Sequence, residues 1–340
     1  MKFIAGDIGG TKTVLAIYDQ NSGPATPLVE ATFPSAAYPN LEAIVRTFLA
    51  QQHGLGADFV SATFGVAGPV VNGRAAITNL PWRMAEPQLA RELSLPRVTL
   101  INDLVAIASA IPGLPASDLH TINEGRAVEN GPIAVVAPGT GLGEAYLVHN
   151  GERYQAYPSE GGHVDFGPNN GEETELLLFL QKKLAAHGST HVSWERVCSG
   201  SGIPNIYAFV KQRSGGAEDP AIADQIARSS AQGGDITPIV INNALSDNAS
   251  PLCRQTLDLF LGILGSEAGN MALKVLSTGG VYLGGGIPPR ILETLKRPTF
   301  IQAFLNKGRL SAVLAEMPVR VILNSKAALF GAAYHGFIQG

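Results

Sequence analysis

The chain has 340 residues, 45% hydrophobic and 15% charged, with a formal net charge of −4. Such a length and composition describe a globular chain with room for two lobes, each with its own core, and not a disordered or coiled-coil protein. The mild acidity, with a pI near 6.0, speaks against a broad basic footprint, so neither nucleic acid nor a membrane is an expected partner.

The opening MKFIAGDIGG has neither the apolar core nor the cleavage site of a secretory signal. Residues 2–8 read as a buried strand that runs through a glycine turn into a second strand at 13–18, a hairpin. Residues 40–53 carry Leu41, Ile44, Val45, Phe48 and Leu49 at the spacing of one helix face. A buried strand follows at 59–66, with 69–77 expected as its hairpin partner. Trp82 is expected in packing. Residues 98–101 form a short strand that enters Asn102-Asp103 and a helix over 104–111.

After the prolines of 112–115 the pattern restarts, with a strand at 133–137, a glycine turn at 138–143 and a return strand at 144–148. Helices are expected at 172–186, 194–198, 203–213, 220–232 and 251–276. The apolar stretch 257–264 is too short to cross a bilayer, which takes about 20 such residues. Gly262, Gly265, Ala268 and Gly269 lie on one side of the last of these helices and predict close helix packing, with a homodimer as a further expectation. A strand at 280–283 leads into Gly284-Gly285-Gly286, and a strand at 319–323 precedes a closing helix from about 326. Cys198 and Cys253 are the only cysteines and sit outside any CxxC or Cys/His cluster, which fits a reducing cytoplasm. The repeated order of strand, turn, strand and helix implies two related α/β halves around a central cleft. The expected division is a small lobe at 1–111, completed by the helix at 326–340, and a large lobe at 112–325.

The glycine turns carry the chemistry. Gly6, Asp7, Ile8, Gly9, Gly10, Thr11 and Lys12 form a turn whose backbone N–H groups can approach a phosphate. It is not a Walker A loop, because Thr11 stands where that motif needs glycine and a strand follows instead of a helix. Asp7, at the end of an apolar strand beside this turn, is placed to hold Mg²⁺, directly or through water. Gly139, Thr140 and Gly141 repeat the device, and Gly285 and Gly286 offer flat backbone to a nucleoside. A dinucleotide fold is disfavoured, since Glu144 replaces the third glycine of its fingerprint.

Together DIGGT, APGTGLG and GGVYLGGGIPPR resemble the two phosphate motifs and the adenosine motif of the sugar-kinase, actin and heat-shock-chaperone ATPase superfamily. Within it, TNLPW at 78–82, INDLVA at 101–106, EGGHVDF at 160–166 and SWERVCSGSGI at 193–203 resemble bacterial glucokinases of the zinc-free branch. The resemblance covers nearly the whole chain. It implies a two-lobed, actin-like (ribonuclease H-like) α/β fold with a mixed sheet in each lobe, ATP and Mg²⁺ as cofactors, and glucose as substrate. By the same resemblance Asn79, Asn102, Asp103, Glu160, His163 and Glu195 contact the sugar, although Leu80 and Pro81 depart from the family's loop around Asn79. Buried sugar hydroxyls need such partners.

Asp103 is the expected general base for the sugar's primary hydroxyl. An Asn-Asp pair before a helix also serves as an N-cap, and that reading stays open. Glu195 can equally favour a helix start, and Asp165 is assigned to structure. His187 and His191 have i,i+4 spacing, but Gly188 lies between them and no glutamate accompanies them, so a metal site is not expected. Competing expectations are a kinase of mannose, fructose or an N-acetylhexosamine, a polyphosphate-using enzyme, a non-catalytic sugar sensor and an actin-like filament protein. The intact Asp103 and the sugar residues speak against the last two.

Overall fold

The computed structural model describes residues 1–340 except 53–55, 57, 78, 79, 187, 217 and 340. Asn79 and His187, both singled out above, lie outside the described residues. The chain divides into two compact units. One comprises Met1–Asp118, Ala145–Pro158 and Asn324–Gly340; the other comprises Leu119–Glu144 and Ser159–Leu323.

In the first unit, strands β1 (Lys2–Ile8), β2 (Lys12–Asp19), β3 (Val29–Pro34), β4 (Phe59–Val66) and β8 (Val98–Asn102) build a mixed sheet in the order β3-β2-β1-β4-β8. The first hairpin is antiparallel, whereas β1, β4 and β8 run parallel. Alternation along β1 sorts its side chains onto two faces. Ile4 and Ile8 join Leu15, Ile17 and Phe64 in a core closed by the helices Leu41–Ala50 and Glu86–Leu93. Phe3 and Ala5 face the other way, onto Leu329, Ala332 and Ala333 of the C-terminal helix Ala327–Gln339. Residues 69–77 do not extend β4. The strands β5 (Val70–Val71), β6 (Arg74–Ala76) and β7 (Arg83–Ala85) form a separate small antiparallel sheet, because both edges of β4 are already filled by β1 and β8. Trp82 is buried and its indole N–H donates to the Tyr38 carbonyl at 3.2 Å.

The remaining strands are β9 (Leu119–Asn123), β10 (Ile133–Pro138), β11 (Leu142–His149), β12 (Tyr154–Ser159), β13 (Gly280–Leu283) and β14 (Val319–Ile322), in the sheet order β12-β11-β10-β13-β14-β9. β10, β13 and β14 are parallel, and β9 closes the edge in antiparallel sense. The helix Pro251–Val275 buries 16 of its 25 residues, including every position from Leu259 to Gly269 except Gly262, as a helix packed on several sides must. A Cβ on Gly265 or Gly269 would stand 2.2 or 2.6 Å from the carbonyls of Phe300 and Phe304. The small-residue side thus packs within the chain, on the helix Pro298–Leu305. The expected helix at 194–198 is only a 3₁₀ turn, Trp194–Arg196. No described helix is long and apolar enough to cross a membrane.

Candidate active site

The turn between β1 and β2 is tight, with the Gly9 N–H bonded to the Lys12 carbonyl at 3.0 Å. It is braced from beneath by Ser35, which is fully buried. The Ser35 hydroxyl donates to the Gly9 carbonyl at 2.7 Å and lies 3.0 Å from the Thr13 hydroxyl, and its N–H reaches the Thr11 carbonyl at 3.0 Å. Gly10, Thr11 and Lys12 stay accessible. Gly6 and Ile8 have a different part. A Cβ on Gly6 would fall 2.7 Å from Phe64 and 2.8 Å from Leu15, and the Ile8 side chain lies in the core. Both residues shape the strand that delivers the turn.

Asp7 shares the face of Phe3 and Ala5, and burial pushes its carboxyl above the usual range, with the Lys12 ammonium pulling the other way. Asp7, Gly65 and Ile101 lie side by side in register on β1, β4 and β8. Asp7 and Ile101 are therefore separated by two strand spacings, about 10 Å, and the helix Asp103–Ala110 starts two residues beyond Ile101. Asn102 is this helix's N-cap: its Oδ1 accepts from the N–H groups of Leu104 (2.9 Å) and Val105 (3.3 Å), and its Nδ2 donates to the Gly68 carbonyl at 3.0 Å. Both ends of the Asn102 amide thus hold backbone. Asp103 stands in the first turn, half-buried, with one oxygen accepting from the Leu104 N–H at 3.0 Å.

In the second unit three glycine-bearing segments meet. The Gly200 and Ser201 N–H groups donate to the carbonyls of Gly139 (2.7 Å) and Thr140 (3.0 Å), and the Ile287 N–H donates to the Pro138 carbonyl at 3.2 Å. Gly285 has φ +79°, and a Cβ there would lie 2.5 Å from the Pro138 carbonyl, so both conformation and contact demand glycine. Thr140 is exposed, and a Cβ on Gly139 or Gly286 would meet nothing within 4 Å, leaving that backbone open to a ligand.

Glu195 joins this turn directly. Its Oε2 accepts from the Leu142 N–H at 3.0 Å and leaves no room for a Cβ on Gly141. Glu160 and His163 occupy a short turn, with the His163 N–H on the Glu160 carbonyl at 3.0 Å and their side chains 3.8 Å apart, both largely in solvent. The turn lies on β11, since a Cβ on Gly162 would stand 2.2 Å from the Leu142 carbonyl. Glu160, His163, Glu195 and the 139–143 turn are thus brought together. Asp165 bridges Ser193 through backbone and pairs its exposed carboxylate with His191 at 3.2 Å, the structural part expected of it. Ser35 carries no motif of its own and emerges only from the fold, whereas the parts of Gly200 and Ser201 within the 193–203 segment become clear only there. The 193–203 segment was the one available signal for the last two.

Comparison with known proteins finds matches over nearly the whole chain. The family model described as Glucokinase matches residues 4–336. A glucokinase of Nostoc sp. is 42% identical over 336 residues, 97% of each chain, and one of Shigella dysenteriae is 37% identical over 98% of this chain and 96% of its own. Among solved structures, a glucokinase from an Antarctic psychrotroph superposes with a TM-score of 0.80 at 31% identity, covering 98% of both chains. A glucokinase of the ROK family from Streptomyces griseus, solved with glucose and AMPPNP, shares the fold at a TM-score of 0.63 and 22% identity over the whole of both chains. The architecture is that of the actin-like sugar-kinase ATPases. The chain belongs to the glucokinase family and is an enzyme of that family.

Proposed function

We propose that the protein transfers the γ-phosphoryl group of ATP to the 6-hydroxyl of glucose. Asp103 is the general base, taking the hydroxyl proton as that oxygen attacks phosphorus. The observation that carries this reading is a pair of carboxylates at one end of one sheet: Asp7 near the end of β1, in a row with Gly65 and Ile101, and Asp103 two residues beyond Ile101 at the start of its helix. Asn102, as N-cap, fixes the helix end that presents Asp103. Glu160, His163 and Glu195 bind sugar hydroxyls, with Asn79 as a further ligand. The turn at 9–12 is the phosphate-binding segment of the first unit, and 139–141 with Gly285 and Gly286 are the nucleotide-binding segments of the second.

Asp7 fits Mg²⁺ on its own chemistry. It is a carboxyl that burial drives toward the neutral form, and a divalent cation beside it restores the ionised one. Bound there, Mg²⁺ neutralises phosphate charge. The two cysteines are buried thiols, which suits a cytoplasmic enzyme.

The test is coupled measurement of ADP release across a panel of hexoses with ATP and Mg²⁺, for the native enzyme and Asp103→Asn. Glucose should be preferred, and the variant should lose about 10²–10⁴ in kcat while still binding nucleotide. Undiminished turnover in the variant would overturn the role of Asp103, and preference for another hexose would overturn the substrate.

A further inference from the structure

The second unit buries more carboxyl groups than it neutralises with cations. Glu267, on the helix Pro251–Val275, is fully buried, with one oxygen 3.2 Å from Lys274 Nζ and the other accepting from Asn270 Nδ2 at 2.8 Å. Glu144, on β11, is 1% exposed, and neither of its oxygens meets a donor. The neighbouring buried carboxyl is that of Glu267, and two carboxyl groups bond each other only when one carries a proton. An ionised Glu144 would be a second buried anion beside the first, with no donor of its own, which is a costly arrangement. Lys274 and Asn270 already occupy both oxygens of Glu267, so the proton resides on Glu144.

The other ionisable groups around the pair are the Cys198 thiol, which both carboxyls push up further, and Lys307, which faces Glu267 and Glu173. Glu160 and His163 lie above it, toward solvent. Glu144 supports that turn from below: a Cβ on Gly161 would stand 1.9 Å from its Oε2, and the Gly161 N–H is held by the Ser159 hydroxyl at 3.0 Å. The turn therefore rests on the carboxyl.

We propose that Glu144 and Glu267 share one proton and that this pair is the seat of the 160–163 turn, making Glu144 a positioning residue for the sugar. The inference rests on the reading of that turn as sugar-binding. Loss of the proton leaves two facing anions, and the Glu144 carboxylate must move from beneath Gly161 toward water.

Burial, with Glu267 next, pushes Glu144 up to about 8. At one pH unit above that value about a tenth of the molecules keep the proton, so the glucose KM should rise about tenfold. The experiment measures glucose KM, ATP KM and kcat from pH 6.5 to 9.5 in the native enzyme, Glu144→Gln and Glu267→Gln, together with the infrared band of protonated carboxyl groups. The native enzyme should show a band component that disappears through pH 8 and is missing from Glu144→Gln, whose glucose KM should stay flat in alkali. ATP KM should not follow the same curve. Should Glu144→Gln fail to fold, Glu267→Gln carries the test, because it too removes the like charge and should flatten the profile.

An alkaline rise in glucose KM equal in native and variant enzymes overturns the proposal, as does the absence of that band component at pH 7. Glu160→Gln and His163→Ala separate the two layers. Glucose KM unmoved by both would overturn the sugar reading of the turn and the positioning role with it, whereas the infrared band would still decide the shared proton.

Discussion

Gly331 offers a sharp test of how Asp103 is held. The C-terminal helix crosses the helix Asp103–Ala110 at Gly331, where a Cβ would lie 1.7 Å from the Ala106 carbonyl oxygen, 2.6 Å from its carbon and 3.0 Å from the Ala110 nitrogen. All three neighbours are backbone, so no side chain can swing aside. In Gly331→Ala the two helices must part by more than an ångström. Overpacking of this kind costs about 1–3 kcal/mol, and a backbone clash belongs at the upper end. That corresponds to roughly 6–12 °C in the Tm of a unit this size. The same substitution in an open helical position works in the opposite direction, because alanine gains about 0.5–1 kcal/mol over glycine. Gly262 is such a position, with nothing within 4 Å of a built Cβ, so Gly262→Ala should raise Tm slightly. Calorimetry on the pair isolates the clash from helix propensity. In Gly331→Ala kcat should also fall, toward about 10²-fold, since the displaced helix carries Asp103, the proposed base. A Tm within a degree of the native value, with unchanged kcat, would refute the reasoning.

Ser35→Ala removes the hydroxyl that holds the Gly9 carbonyl; a loss of about 1–2 kcal/mol in urea unfolding is expected, with ATP KM raised and glucose KM unchanged. Glu144→Gln should alter the pH dependence of stability. The folded-state proton affinity of Glu144 is raised from 4.5 to about 8, so its stabilising contribution is whole below about pH 4.5 and is lost as pH climbs to about 8. Over that window the native enzyme should lose up to about 1.4 kcal/mol per pH unit relative to the variant, read as converging and then crossing urea midpoints.

What was legible in the sequence was local. The strand at 2–8 agrees with β1 because its alternation and glycine turn are both contained in a dozen residues, and the helix at 203–213 is bounded by its own signals. Edge strands escaped notice. Val29–Pro34 and Leu119–Asn123 bury few of their side chains, so they lack the apolar pattern that betrays a central strand. The hairpin signal at 69–77 was genuine, but pairing is decided by which edges are free. The glycine motifs announced themselves by composition, and the polar residues beneath them did not. Ser35 and Glu144 lie far along the chain from Gly9 and Glu267, and neither partner bears a mark of the other until the fold joins them.

The second unit shows why such supports belong under the site and not in it. In the proposed function Glu160 and His163 stay in solvent to exchange a neutral sugar, and a short turn of exposed polar side chains has little packing of its own to fix it. Its order has to come from below, from the backbone contact at Gly162 and the carboxyl at Gly161. Glu195 solves the same problem differently: one oxygen is bonded to the Leu142 N–H, which couples a proposed sugar-binding residue to the glycine turn at 139–143 through a single side chain. A carboxyl partly occupied by backbone has fewer rotamers left to lose when ligand arrives. Preorganisation of the sugar residues is therefore bought with buried polar groups, and those groups, not the exposed ones, limit which neighbouring residues can be anything larger than glycine.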